Sequence, residues 1–360
     1  MAGRGDPPEG TAPDPGGGED EYRSVVFDES FVRAARLQEF SAAERMGEHA
    51  QPVRTLSGVR ETRSGSRQAV LLVLLILLAF GTAIYLGVRN PYMPPGDQRA
   101  EPLRTTVVPL APQGPVVGGE PARLFARSPA AEYRGGPAGI NLPDTGRTGH
   151  FSESQVVTAL SIAKDYLVAS SLEADVLTGV TVRPVRLLLD PDQLEQFDRS
   201  VESSRDDGRH AVSGWLVRFD PKKVELADPT PRVQGTLRFA ETTTDMLEVT
   251  ADHTFTYAVR PATSGAGPTA QASLFAVHRE LHFRFDRENL RMHRAELVTS
   301  VVQAGPQACD AAAAGALKPL LAGERVSASG GPAVTDPYAT GRPAVASLCG
   351  ALAPGAQPSL

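Results

Sequence analysis

Ser161 and Lys164 stand in the order S-x-x-K, the spacing around the nucleophilic serine of penicillin-binding proteins. That chemistry also requires a Ser-x-Asn element and a Lys-Thr-Gly strand beside the serine. Neither Lys-Thr-Gly nor Lys-Ser-Gly occurs, and none of Asn90, Asn141 and Asn289 has a serine two positions before it. We therefore interpret Ser161 and Lys164 as ordinary polar positions of a helix, and predict no catalytic residue.

His278, Glu280 and His282 occupy every second position, so a β-strand would place all three on one face. Imidazole and carboxylate groups are metal ligands, but a metal site also needs donors from a neighbouring strand and an enclosed cavity. The alternation assigns these residues to the polar face of their strand. We therefore predict a solvated face, with no metal site and no cofactor.

The chain carries no G-x-S-x-G, P-loop, G-x-G-x-x-G or H-E-x-x-H motif, so it is predicted not to be an enzyme. Its formal net charge is −6, whereas a protein that binds nucleic acid needs a basic face, so no nucleic-acid partner is predicted. Trp215, His253 and Tyr257 could line a small-molecule pocket, although packing in a hydrophobic core explains them equally well.

Cys309 and Cys349 are the two cysteines of the chain, and neither belongs to a C-x-x-C pair. An isolated pair of this kind predicts one disulfide if this end of the chain lies in an oxidising compartment. Closing a loop of about 40 residues would contribute roughly 4 kcal/mol in the chain-entropy model. The alternative is two unpaired, buried thiols.

Residues 68–88 form an uncharged apolar run between Arg67 and Arg89. As a helix this run would span roughly 30 Å, the thickness of a bilayer core, which predicts a single transmembrane helix and a signal anchor. Arginine is more frequent before the run than after it, which favours a cytoplasmic N-terminus. The prediction is thus a plasma-membrane protein with the lipid bilayer as a partner and its C-terminal domain outside the cytoplasm; the alternative is a buried core helix.

Residues 1–67 are predicted to be a mostly disordered cytoplasmic tail, because the opening stretch is rich in Gly, Pro and acidic residues. A short helix over about 28–47 is the exception, with Asp28 as its N-cap. Its exposed apolar residues could dock on a cytoplasmic partner, or the helix could form transiently without one. The residues predicted to dock are Phe31, Val32, Leu37 and Phe40.

Residues 89–149 are Pro/Gly-rich and show little periodicity, which predicts an extracytoplasmic linker. Residues 305–360 are predicted to be a C-terminal extension with an Ala-rich helix reaching about Leu321, the disulfide and a frayed end. Between these segments, residues 150–304 have the composition of a folded domain.

Residues 150–304 begin with helical patterns and end with strands. Helices are predicted from the Ser152 capping box to about Ser170, over Glu173–Leu177, and from Asp190 onward. Alternating apolar and polar residues predict half-buried antiparallel strands, joined in one case by the hairpin loop "FDRENL". The predicted strands are 180–189, 213–219, 233–239, 247–259, 273–285 and 295–302. Helices on one face of a curved antiparallel sheet make an α+β fold, similar in pattern to the cystatin-like and nuclear-transport-factor-2-like (NTF2-like) cone.

Five stretches carry a family resemblance: "VVFDESFVRAARLQEFSAAERMGEHA", "SRQAVLLVLLILLAFGTAIYLGVRNPY", "LLLDPDQLEQFDRSVE", "GWLVRFDP" and "TDPYATGRPAVASLCGALA". They resemble a family of streptomycete single-pass membrane proteins encoded with the spore-wall synthesis machinery. The resemblance implies a non-enzymatic accessory or scaffolding component of a cell-envelope assembly, with partners in peptidoglycan synthesis. It transfers no functional residues. The alternative is a membrane-anchored ligand-binding or sensing domain with a cone-shaped pocket.

Overall fold

The computed structural model describes residues 70–81, 100–262, 270–310, 312–326, 334–339 and 349–359. The chain divides into two compact units, Met1–Tyr92 and Met93–Leu360. The predicted docking helix over 28–47 lies outside the described residues, and with it Phe31, Val32, Leu37 and Phe40.

The first unit contributes one described helix, α1, over residues 70–81. Among the helices that the structure describes, none combines the length and the apolar character that a membrane span requires. This finding contradicts the predicted transmembrane helix over 68–88 and the plasma-membrane location inferred from it.

The second unit is an α+β fold. Its helices are α2 (Pro121–Ala126), α3 (Glu153–Ser171), α4 (Ala174–Leu177), α5 (Arg183–Arg186), α6 (Leu194–Glu202), α7 (Val212–Trp215) and α8 (Arg287–Met292). Its strands are β1 (Arg104–Ala111), β2 (Arg134–Gly135), β3 (Val224–Leu226), β4 (Arg232–Thr243), β5 (Met246–Pro261), β6 (Ser273–Phe285), β7 (Glu296–Gly305), β8 (Val334–Thr335) and β9 (Gly350–Leu352).

These strands form one curled sheet in the order β2-β4-β5-β6-β7-β1-β9-β8, with β3 also paired to β5. Strands β4 to β7 are antiparallel neighbours, as the alternating pattern predicts. However, β1 runs parallel to both β7 and β9, and β8 runs parallel to β9. The sheet is therefore mixed, which corrects the predicted antiparallel sheet.

Strand β1 corrects the predicted linker over 89–149, because from residue 100 onward this segment belongs to the fold. β1 lies inside the sheet between β7 and β9, and Leu103, Val108 and Leu110 around it are buried. A parallel strand that is buried at consecutive positions, as β1 is from Val108 to Leu110, lacks the clean alternation of a half-exposed strand. Its sequence therefore gives no period-two signal.

Helix α3 confirms the helix predicted to begin at Ser152. The Ser152 hydroxyl accepts from the Gln155 amide and the Gln155 side chain accepts from the Ser152 amide, which forms the expected capping box. Val156, Leu160 and other apolar residues of α3 are wholly buried in the main core, against strand β5. The helix therefore covers one face of the sheet.

Two predicted strands are short helices instead. Residues 180–189 contain α5, where Pro184 stands in the first turn and is compatible with a helix start. Residues 213–219 contain the end of α7, followed by an extended segment in which Phe219 bridges to Leu317. The apolar periodicity reflected burial at the junction of several elements rather than a place in the sheet.

Two further elements differ from prediction. The loop "FDRENL" forms helix α8, because Asp286 and Asn289 make a capping box. The Ala-rich helix predicted to reach about Leu321 is not formed in residues 305–310 or 312–321, the described parts of that stretch. These residues form turns and bends, and Ser213 donates its hydroxyl hydrogen bond to the Ala313 carbonyl (2.7 Å).

Cys309 and Cys349 form the predicted disulfide, with their Cα atoms 5.5 Å apart. The bond joins the segment after β7 to β9, which itself pairs with β1. Residues 334–339 and 349–359, together called the C-terminal strap, thereby lie against the sheet. Tyr338 of the strap packs edge-on to Tyr133 at 6.0 Å, over a small cluster that includes Phe125.

Candidate functional site

The candidate site lies where β5 and β6 pair, since their polar residues occupy both faces of the sheet there. His253 is opposite Arg279 on the face covered by α3, and Thr254 is opposite His278 on the other face. All four residues are buried. The two faces therefore require separate descriptions.

Arg279 is wholly buried on the helix-covered face. One guanidinium nitrogen, Nη1, donates to the hydroxyls of Ser170 (2.8 Å) and Ser171 (2.7 Å). The other, Nη2, donates to the carbonyls of Gly214 (3.0 Å) and Trp215 (2.9 Å). A single side chain thus joins β6 to the C-terminal ends of α3 and α7.

This position suits a cation because the last turn of α3 exposes carbonyls and carries partial negative charge. The last turn of α3 has no basic residue of its own, so Arg279 supplies the charge from the sheet. Burial lowers the pKa of Arg279, although the hydroxyls of Tyr166 and Tyr257 act against that shift. These hydroxyls donate to the Trp215 carbonyl (2.8 Å) and the Ser171 carbonyl (2.7 Å), so they complete the same network.

The three residues predicted to line a pocket, Trp215, His253 and Tyr257, meet around this network and are wholly buried. Trp215 donates its indole N–H to the Ser200 hydroxyl (3.2 Å) and packs edge-on to Phe197 at 5.5 Å. Tyr257 packs edge-on to Phe219 at 5.3 Å, within the same core. Trp215 and Tyr257 belong to the main hydrophobic core, and none of the three side chains is accessible to solvent.

His253 differs from its neighbours because neither ring nitrogen has a hydrogen-bond partner among the described residues. Burial, together with the nearby imidazole of His278, lowers its pKa from 6.5 to about 4. His253 is therefore a neutral imidazole at neutral pH. Its two unsatisfied nitrogens oppose folding, since buried polar groups without partners destabilise the folded state.

On the opposite face, Thr254, His278 and Asp252 are arranged as hydroxyl, imidazole and carboxylate. The Thr254 Oγ1 atom lies 3.2 Å from His278 Nδ1, and His278 Nε2 lies 3.4 Å from Asp252 Oδ1. This is the order of groups in a hydrolytic triad. The Thr254 hydroxyl, however, donates to the Pro337 carbonyl at 2.6 Å.

That last bond decides what the arrangement can do. A nucleophilic hydroxyl must present its proton to the base and its oxygen to a substrate. The Thr254 proton is held by Pro337, and Thr254 is wholly buried. Burial lowers the pKa of His278, with the carboxylates of Asp252 and Glu280 acting against the shift. The group therefore anchors the C-terminal strap rather than activating a nucleophile.

His282 lies further along the same face and is half-buried between Glu248 and Glu280. Its Nδ1 atom lies 3.1 Å from Glu248 Oε1, and its Nε2 atom lies 3.1 Å from Glu280 Oε1. Burial lowers its pKa, but the hydrogen bonds to Glu248 and Glu280 outweigh burial and raise it overall. In the part of the chain described here, no group of three or more potential ligands is placed to hold a metal ion.

Sequence reasoning missed the roles of Arg279, Asp252 and Thr254. The signal for Arg279 was visible: it is the one charged residue among the apolar odd positions of β6, from Phe275 to Phe285. A charge at a core-facing position indicates a buried polar contact. Nothing in the sequence indicated that Pro337 would lie over Thr254.

Comparison of this chain with known protein families, with curated proteins and with solved structures found no match. The likeness to the cystatin-like and NTF2-like cone therefore stays a prediction, and so does the resemblance to the spore-wall family.

Proposed function

We propose that this chain is a non-enzymatic accessory or scaffolding component of a cell-envelope assembly, of the kind that builds the spore wall. The observation that carries the proposal is the filled face of the sheet beneath α3. Arg279 and its partners occupy the interior where an α+β fold of this shape would hold a substrate. Such a core favours a domain that works through its outer surface.

The strap supports the same proposal. The Cys309–Cys349 bond and the Thr254 hydrogen bond to Pro337 fix this segment over the second face of the sheet. The triad-like group beneath it is engaged in that contact. The alternative of a ligand pocket lined by Trp215, His253 and Tyr257 is not carried forward, because these side chains are inaccessible to solvent.

The proposal is tested by photo-crosslinking in sporulating cells. A photoreactive residue replaces Leu187 or Met292, whose side chains are exposed on the second unit, and Arg205 serves as a polar surface control. We expect crosslinks to peptidoglycan-synthesis proteins from at least one apolar position and fewer from position 205. Crosslinks that include no wall-synthesis protein would overturn the proposal.

An activity assay tests whether the chain is an enzyme. The purified full chain is incubated with peptidoglycan precursor, beside the variant Ser161→Ala. We expect no turnover from either protein. Turnover by the wild type that disappears in Ser161→Ala would show that the chain is an enzyme, contrary to the proposal.

A further inference from the structure

A cleft of about 530 Å³ opens on the second unit, away from the candidate site. It lies between residues 118–127, the end of β5, residues 270–272 and the end of the strap at Pro358 and Ser359. Cavities that hold small organic ligands have this volume. The cleft is therefore large enough for more than a single ion.

Three arginines line this cleft: Arg123 and Arg127 from the α2 segment, and Arg260 from β5. The lining residues include a single carboxylate, that of Glu120. Arg260 pairs with Glu225 at 2.6 Å. Neither Arg123 nor Arg127 takes part in an ion pair within the described ranges, so the cleft keeps an excess of positive charge.

Arg123 belongs to α2 and Arg127 is the C-cap residue of that helix, so two like charges line the same cleft and repel each other. An anion between them would remove the repulsion. Guanidinium groups match carboxylate and phosphate oxygens with two parallel hydrogen bonds, which makes arginine the residue suited to these anions.

We propose that this cleft binds an organic polyanion, a small molecule bearing at least two phosphate or carboxylate groups. Arg123 and Arg127 hold its charged groups, and Leu124 and Ala272 contact its carbon skeleton. Phosphate and carboxylate groups accept the same pairs of hydrogen bonds from arginine, so an experiment must decide which of the two anions the cleft binds. This proposal stands independently of the proposed function.

The test uses the full chain and isothermal titration calorimetry with pyrophosphate, with citrate, and with glycerol as the uncharged control. We expect saturable binding of at least one polyanion at up to millimolar concentration, and none of glycerol. The double variant Arg123→Ala with Arg127→Ala should bind at least about ten-fold more weakly, since each arginine supplies charge-assisted hydrogen bonds. Pyrophosphate binding without citrate binding would assign phosphate, and the reverse would assign carboxylate.

The matched control is the double variant Arg205→Ala with Arg209→Ala. These arginines are also four apart and exposed, and they lie outside the cleft. It should bind like the wild type. Equal loss in both double variants would show a general charge effect and overturn the proposal, as would the absence of saturable binding by either polyanion. Unfolding midpoints of both variants, expected to match the wild type, show that the cleft variant is folded.

Discussion

His253 and His282 are the same residue type on neighbouring strands of one sheet, yet the fold treats them in opposite ways. His253 lies on the helix-covered face with unpartnered ring nitrogens, and burial lowers its pKa to about 4. His282 lies on the other face between two glutamates, and its pKa is raised. Burial without a hydrogen-bond partner at His253, and the two carboxylates beside His282, decide whether acid destabilises or stabilises the fold at each position.

The same contrast holds for arginine. Arg279 on the covered face bonds to hydroxyls and carbonyls at two helix ends, and it is wholly buried. Arg284, five residues on and on the other face, is partly exposed and pairs with the exposed Glu101 and the buried Glu296. The buried arginine is the more costly to lose, because its partners have no water to replace it.

The largest expected effect is that of Arg279→Met. The change removes the four hydrogen bonds of the buried guanidinium, and we expect a loss of about 3–5 kcal/mol in the free energy of unfolding. The two serine hydroxyls lose this donor, whereas the Gly214 and Trp215 carbonyls keep donors in Ser300 and Tyr166. Urea unfolding followed by circular dichroism measures it. The control, Arg284→Met, should lose less, because Arg284 is partly exposed and Glu296 keeps its hydrogen bond from the Glu101 amide. Equal losses would mean that the two faces do not differ as described.

The next largest effect on the free energy of unfolding is expected for His253→Phe, and this effect depends on pH. The folded pKa is about 4 against 6.5 when unfolded, so below pH 6.5 the unfolded chain binds a proton that the folded chain does not. Wild-type stability therefore falls as pH drops through this window, by up to about 3 kcal/mol. The variant has no histidine at position 253, so its stability does not fall for this reason.

We therefore expect the stability of His253→Phe to exceed that of the wild type increasingly from about pH 6.5 to about pH 4. Unfolding free energies across this range measure the difference. His278, whose pKa is also lowered, remains in both proteins. A constant difference between the two curves at all pH values would contradict the assigned pKa.

Much of the covered face was predictable from sequence. The odd positions of β5 and β6 alternate with polar residues, and the capping box at Ser152 fixes the start of α3. These signals are local, since each depends on residues a few positions apart. The α+β fold and the four long antiparallel strands therefore followed from the sequence, whereas the disulfide was predicted only for an oxidising compartment.

The remainder depends on contacts between distant residues. β1 pairs in parallel with β7, almost two hundred positions away, and no turn or alternation signals that pairing. Pro337 reaches Thr254 only after the strap has returned to the sheet. The transmembrane helix predicted over 68–88 rested on the length and composition of an apolar run, and none of the described helices is long and apolar enough to cross a membrane.

Thr254→Val tests how the strap is held on the second face. The change removes the hydroxyl that donates to the Pro337 carbonyl at 2.6 Å, with little change in shape. We expect a loss of about 1–2 kcal/mol in the free energy of unfolding, the usual effect of removing one buried hydrogen bond. Thr250→Val, on the same strand and face but only half-buried, should change stability by less than about 0.5 kcal/mol.

The strap's response is measured by hydrogen exchange at Val334 to Ala339. Faster exchange there in Thr254→Val, with unchanged exchange in α3, is the expected pattern. Unchanged exchange in the strap would show that Thr254 does not anchor it.

His282→Gln gives the smallest expected effect and the opposite sign of pH dependence to His253→Phe. The folded pKa of His282 is raised, so its contribution is fully present below pH 6.5 and is lost as pH rises through the folded pKa. Because the pair with Glu248 and Glu280 is half-buried, we expect a contribution below about 1 kcal/mol, weakened further by salt. Wild type and His282→Gln should therefore converge in stability as pH rises and diverge as it falls, with the wild type the more stable in acid. The same unfolding series used for His253→Phe measures this, and a variant that gained stability in acid would show that both histidines belong to the same electrostatic environment.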